Sequence, residues 1–190
     1  MDDNQIGWSK DRLNREINRS HYNDGRAKSH VGFVNPADFL HSTTPSESYE
    51  GLIKRASGTL DQEKLSKESQ SPFLTIENGN INGHEGRHRM AALAQAGHTS
   101  VPIAIHHSGT AKRLTPMESA TFGAEHEGRK PITVKNLIPL HHDYADQIND
   151  MMSKNSEHFN KGGNVTKRNG IVGLAHSIRP VALMKRNYYG

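Results

Sequence analysis

The apolar positions of this chain fall in short, punctuated groups separated by long polar stretches. That pattern predicts a small fold built from brief elements. Phe73-Leu74-Thr75-Ile76-Glu77 reads as a strand, Asn78-Gly79-Asn80 as a hairpin turn, and Ile81-Asn82 as the return strand. A glycine turn over 83–86 then leads into 87–96, which reads as a helix with Met90, Ala91, Leu93 and Ala94 on its packing face. Gly97 supplies its C-terminal stop. Val101-Pro102-Ile103-Ala104-Ile105 reads as a further strand, with the proline near its start, where a strand tolerates one. Residues 73–105 are the best-organised part of the sequence.

The flanks are less regular. Residues 9–18 predict a short polar helix around Leu13 and Ile17, with Trp8 as an anchor for this arm. Residues 19–30 read as a linker. Val31-Gly32-Phe33-Val34 predicts a strand ended by Asn35-Pro36, and 37–40 a single helical turn after the proline. The Ser/Thr/Pro-rich run 41–48 reads as a loop, 49–56 as a short helix and 60–69 as a charged, weakly periodic stretch. Thr115-Pro116-Met117-Glu118 has the chemistry of a helix start. Ile132-Thr133-Val134 predicts a strand, and 143–153 a helix with Tyr144, Ile148 and Met151 or Met152 inward. The patches 171–174 and 181–184 are short apolar groups suited to docking on a core. Together these elements predict an α+β fold, a small mixed sheet with short helices and extended terminal segments. Its expected organisation is a polar arm (1–30), a core (31–110), an extension packed on it (111–160) and a basic segment (161–190).

Composition narrows the class. At 190 residues with 33% hydrophobic and 6% aromatic side chains, the core is expected to be modest. The absence of cysteine excludes disulfides, thiolate ligands and a cysteine nucleophile. No apolar run reaches the length of a membrane span, and the first twenty residues hold no apolar signal core, so a cytoplasmic protein is expected. The formal charge of +4 is unevenly spread: the last thirty residues carry six Lys/Arg and no Asp or Glu, and the rest of the chain is slightly acidic. Such a segment suits a polyanion, most simply nucleic acid. The thirteen histidines are scattered. The tandem pairs His106-His107 and His141-His142 would point to opposite faces of a strand and are read as surface residues.

The candidate chemistry lies in Gly83-His84-Glu85-Gly86-Arg87-His88-Arg89. Read as His84-Glu85-x-x-His88, it is the signature of a zinc-dependent hydrolase, which needs both histidines one turn apart on a formed helix. Gly83 and Gly86 weaken such a helix, the preceding residues are turn and strand chemistry, and no third ligand stands out. Read as a glycine turn opening a helix at about Arg87, it is an anion site. The first N–H groups of a helix lack internal partners and carry partial positive charge. Gly86 permits positive φ and close approach. Arg87 and Arg89 offer forked donors for phosphate oxygens. His88 is a donor and a proton-transfer group, and Glu85 is placed to bind a metal or orient water.

The run from Gly79 to Ile105 resembles the core of the ParB/sulfiredoxin-like superfamily: strand, glycine turn with an Arg/His motif, Ala-rich helix, Gly, Val-Pro strand. Val31–Leu40 looks like the family's first strand and Pro-containing turn, so the resemblance spans about residues 31–107. It implies a small α+β nucleotide-binding fold. The turn Gly83, His84, Gly86, Arg87, His88 and Arg89 would hold the phosphates of CTP or ATP, with magnesium at Glu85. If the site turns over, the expected activity is nucleotide hydrolysis, phosphoryl transfer or nuclease action, with Arg87, His88 and Glu85 as its catalytic residues. Sulfiredoxins carry a cysteine where this chain has Arg87, so their reductase chemistry is excluded. The partition-protein motif has a different Glu-Arg-Arg arrangement, and no helix-turn-helix pattern follows residue 107. The combination of Val-Gly-Phe-Val-Asn-Pro with His-Glu-Gly-Arg-His-Arg is similar to domains of phage and mobile-element proteins, which implies the host cytoplasm or a virion. The alternative reading is a non-enzymatic DNA-binding or virion-associated protein that uses its basic C-terminal segment.

Overall fold

The computed structural model describes residues 10–20, 27–43, 72–108, 114–125 and 128–161, with side chains described as far as 154. The readings for Trp8, 49–56, 60–69 and the segment beyond 161 lie outside the described residues. The elements run in the order α1 (Lys10–Ser20), β1 (Ser29–Val34), α2 (Pro36–Ser42), β2 (Phe73–Glu77), β3 (Asn80–Glu85), α3 (Arg87–Gln95), β4 (Val101–His107), β5 (Met117–Phe122), β6 (Ile132–Pro139), a 3-10 turn (His142–Tyr144) and α4 (Ala145–Lys161). Among the described residues no helix is long and apolar enough to cross a membrane.

The strands form one six-stranded mixed sheet in the order β3-β2-β4-β1-β6-β5. β2 and β4 run parallel, and the other neighbours are antiparallel. The sheet curls until its two edges meet: the Gly123 N–H, just past β5, donates to Gly79 O in the β2–β3 turn at 2.8 Å. Side-chain alternation sends alternate residues to two faces. One face carries Val34, Leu74, Ile76, Val101, Ile103, Ile105, Val134 and Leu137, packed with Phe39 and Leu40 of α2 and Met90 to Leu93 of α3. The other carries Val31, Phe33, Ala104 and Ile138, packed with Leu13 and Ile17 of α1 and Ile148 and Met152 of α4.

The expected α+β class and mixed sheet are present, and three expectations need correction. Residues 115–118 do not start a helix: 117–122 form the edge strand β5. Its Thr121 and Phe122 are good strand formers, and pairing with Thr133 and Ile132 of β6 outweighs the cap signal at Thr115. The return strand of the hairpin is not two residues long but runs through Glu85, opposite Phe73. Residues 111–160 do not simply pack on a core already complete: β6 hydrogen-bonds β1 inside the sheet, and α4 closes one of its faces.

β6 also explains why its sequence pattern is hard to read. Pairing with β1 slips between Val31 and Phe33 at a bulge where Asn136 adopts φ 51°. The bulge spaces Val134 and Leu137 three residues apart while keeping both on the same face. Opposite it, a Cβ on Gly32 would lie 2.5 Å from Val134 Cγ1 and 3.1 Å from Lys135 O. Glycine is therefore what lets β1 and β6 approach.

Candidate functional site

The Gly-Arg turn forms where β3 ends and α3 begins. Gly86 is the residue before the helix and adopts φ 95°, ψ 17°, the left-handed region. A Cβ there would come within 2.9 Å of the Pro72 backbone and ring. Both facts demand glycine. Gly86→Ala is expected to cost about 1–3 kcal/mol through left-handed strain and overlap with Pro72. Thermal denaturation checks this, and an unchanged Tm would show that the turn can relax without cost.

The first helical bond runs from Met90 N–H to Gly86 O at 2.9 Å. The amides of Arg87, His88 and Arg89 therefore have no acceptor within α3, and Gly86 has no side chain to cap them. Glu85 bends back so that its Oε1 accepts from the Gly86 N–H at 3.0 Å. His88 is exposed and Arg89 half-buried. His84, on β3, places its ring edge-on to Phe39 with centroids 6.5 Å apart. The turn thus brings together an extended strand end, three helix-start amides and two side-chain donors.

Arg87 is placed differently from the sequence expectation. It is only 8% exposed. Its Nη1 donates to Leu40 O at 2.9 Å, Thr43 O at 3.1 Å and Thr43 Oγ1. Thr43 Oγ1 in turn donates to Phe39 O at 2.8 Å. The guanidinium therefore closes the C-terminal end of α2, where carbonyls lack helical partners and a cation is favoured. Burial lowers its pKa from the ordinary arginine value. As a direct phosphate donor Arg87 is displaced by this role: it locks the α3 turn to α2. Sequence reasoning could not find this, because it depends on a contact more than forty residues away.

The zinc geometry is also absent. His84 lies on a strand and His88 on the first turn of α3, so the two do not share a helical face. Among the described residues no group of three or more His, Asp or Glu side chains could hold a metal ion.

A second cluster, missed as a site by sequence reasoning, lies where β1 begins and β4 ends. His106 and His107 are half-buried, not surface residues, because β4 is an interior strand. Ser29 Oγ is 2.7 Å from His106 Nδ1, and the His106 ring meets Phe73 edge-on at 5.0 Å. On the opposite face His30 Nδ1 is 2.9 Å from His107 Nε2, and His30 Nε2 is 3.0 Å from Thr115 O. Burial chiefly pushes His30 down to about 4, with the Thr115 carbonyl opposing and His107 adding to the fall. Burial likewise lowers His106 to about 4, with Arg19 and His107 contributing. The available signal was a histidine next to the apolar run at 31–34.

No protein-family model, no curated protein and no solved structure matches the chain, so its function is argued from these residues alone.

Proposed function

We propose that this protein is a ParB/sulfiredoxin-like phosphate-binding protein that takes a nucleoside triphosphate, CTP or ATP, at the Gly86–Arg89 turn. The observation that carries this reading is the left-handed Gly86 at the end of a strand, opening a helix whose first three amides have no intrahelical acceptor. The surrounding order of elements is the one the resemblance implies: a strand and Pro-containing turn, then hairpin, glycine turn, Ala-rich helix and Val-Pro strand.

The division of labour follows from burial. The amides of residues 87–89 and the side chains of His88 and Arg89 contact phosphate oxygens. Arg87 positions the turn through α2 and touches no phosphate directly. Glu85 is the exposed carboxylate beside these donors. It fits magnesium, which binds through one or two carboxylates together with substrate phosphates. Bound there, the ion would neutralise phosphate charge that Glu85 alone would repel. If the site turns over, His88 is the group on the first helical turn able to move a proton to or from a phosphoryl acceptor or leaving oxygen.

Isothermal titration with CTP, ATP and ADP, with and without magnesium, tests the reading. Saturable binding of at least one nucleotide is expected. Arg89→Ala should weaken it by roughly tenfold or more, corresponding to about 1.5–3 kcal/mol for a charge-assisted hydrogen bond. If the wild-type protein binds none of the three under either condition, the nucleotide reading fails.

A further inference from the structure

A groove between β5 and α4 takes no part in the phosphate turn and has the lining of a docking surface. Its volume is about 560 Å3. Phe33, Leu137 and Ile138 of the sheet, Met117 at the start of β5 and Met151 of α4 make it apolar. Met117 is the large hydrophobic side chain left exposed among the described residues. Glu118, Asp150 and Lys154 supply the charges of the groove. Lys154 Nζ lies 2.6 Å from Asp150 Oδ2, so those two offset each other. Glu118 is exposed, and its carboxylate has no hydrogen bond or ion pair among the described residues. The groove therefore offers an apolar surface beside one uncompensated negative charge.

The strand that walls it is a sheet edge, with β6 as its strand partner. Where β5 ends, the Gly123 N–H reaches Gly79 O and the two edges of the sheet meet. The start of β5, from Met117 to Ser119, lies away from that junction and is exposed. An edge presents backbone donors and acceptors to any extended segment beside it, and proteins blunt edges with lysine, proline or a bulge, or cover them. β5 itself contains no lysine or proline, and its pairing with β6 has no register shift.

The chain holds a segment of matching chemistry. Val181-Ala182-Leu183-Met184 is an uninterrupted apolar run, preceded by Arg179-Pro180 and followed by Lys185-Arg186. A proline at the entry to a strand is tolerated at a sheet edge. The other apolar patch, 171–174, contains Gly173, which weakens a strand, and is followed by Ala175 instead of a base. Val181 follows Lys161, the end of α4, by twenty residues, which span up to roughly 65 Å when extended. Lys154 at the groove is about 10 Å back along that helix. The tether also gives the segment a high effective concentration at the groove, which a separate partner lacks.

We propose that residues 181–186 of this chain dock along the free edge of β5 as an added strand. Side chains alternate in an extended segment, so Val181 and Leu183 enter the groove together. The bases that follow lie beside Glu118. Backbone hydrogen bonds to β5 supply affinity and the apolar pair supplies register, the mode by which extended peptides add to sheet edges.

The absence of cysteine allows a single spin label at Asn187→Cys, just past the apolar run. In the labelled full chain, the amide resonances of 117–119 and 147–151 are expected to broaden while those of α3 do not. A mixture of isotope-labelled protein without the spin label and spin-labelled protein without the isotope should show no such broadening. Leu183→Asp should abolish the broadening and lower the protection of β5 amides from hydrogen exchange by about tenfold or more. No broadening in the spin-labelled chain, equal broadening of α3, or broadening that survives Leu183→Asp would overturn the docking. Broadening in the mixture would overturn it too, by making a second copy the occupant. Should the Leu183→Asp chain fail to fold, the spin-labelled chain and the mixture decide the matter without it.

Discussion

Arg87→Ala should lower stability by about 3–4 kcal/mol, the scale expected when a buried, charge-assisted hydrogen-bond network loses its donor. For a domain of this size that is a fall in Tm of roughly 10 °C. The loss arises because Leu40 O, Thr43 O and Thr43 Oγ1 share one donor atom, and removing it strands the last turn of α2. Arg87→Lys should recover part of it, since an ammonium has three donors but lacks the planar fork and the reach. Differential scanning calorimetry measures both variants. The same experiment separates two roles. A phosphate ligand would lose nucleotide affinity with little change in Tm, whereas a bracket between α2 and α3 loses Tm first. An Arg87→Ala protein as stable as the wild type would remove Arg87 from its positioning role.

Stability should fall steeply as the pH drops from about 6.5 towards 4. His30 and His106 are held neutral by burial, each lowered from 6.5 to about 4. In the unfolded chain both protonate near pH 6.5, so below that pH the unfolded state binds more protons than the folded state. The contribution is complete above pH 6.5 and declines as the pH falls to about 4, below which both states are protonated. The shift corresponds to about 3 kcal/mol for each histidine. Urea denaturation midpoints at pH 8, 7, 6, 5 and 4.5 should be level over the first two values and then fall. The double variant Ser29→Ala/His106→Leu removes one titrating group together with its hydrogen-bond partner, and should reduce the slope by about half. Midpoints independent of pH between 6.5 and 4.5 would mean that these rings are solvated.

The two effects involve different parts of the molecule. Arg87 joins the two helices on one face of the sheet, near the proposed phosphate turn. His30 and His106 lie where β1 begins and β4 ends, one on each face. Nucleotide at the turn should therefore raise the stability of wild-type protein at pH 7 without altering the position of the acid limb.

Local chemistry made several elements legible in the sequence. The alternation of Phe73 to Glu77, the Asn78-Gly79 turn and the glycines at 86 and 97 bracket a hairpin and a helix whose limits depend on neighbours a few residues away. Both glycines do adopt positive φ, at 95° and 83°. The separation of His84 from His88 followed from the same local argument, because Gly83 and Gly86 and the turn and strand residues before them disfavour a helix there. β5 was illegible because a residue pair such as Thr115-Pro116 suits a helix start and a strand approach equally well. Only β6 decides between them. β6 was half-legible because its bulge at Asn136 breaks the period of two.

By itself, then, the sequence determined the class of the fold, the order of its central elements and the position of the glycine turn. These depend on backbone preference and short-range periodicity, which are local properties. The tertiary structure decided the roles of the charged and titratable groups. Arg87 becomes a structural donor because Leu40 and Thr43 come to lie beside it, and His30 becomes buried and His106 and His107 half-buried because β1 and β4 are interior strands. Desolvation and long-range hydrogen bonds set those roles, and both depend on residues brought together across dozens of positions in the chain.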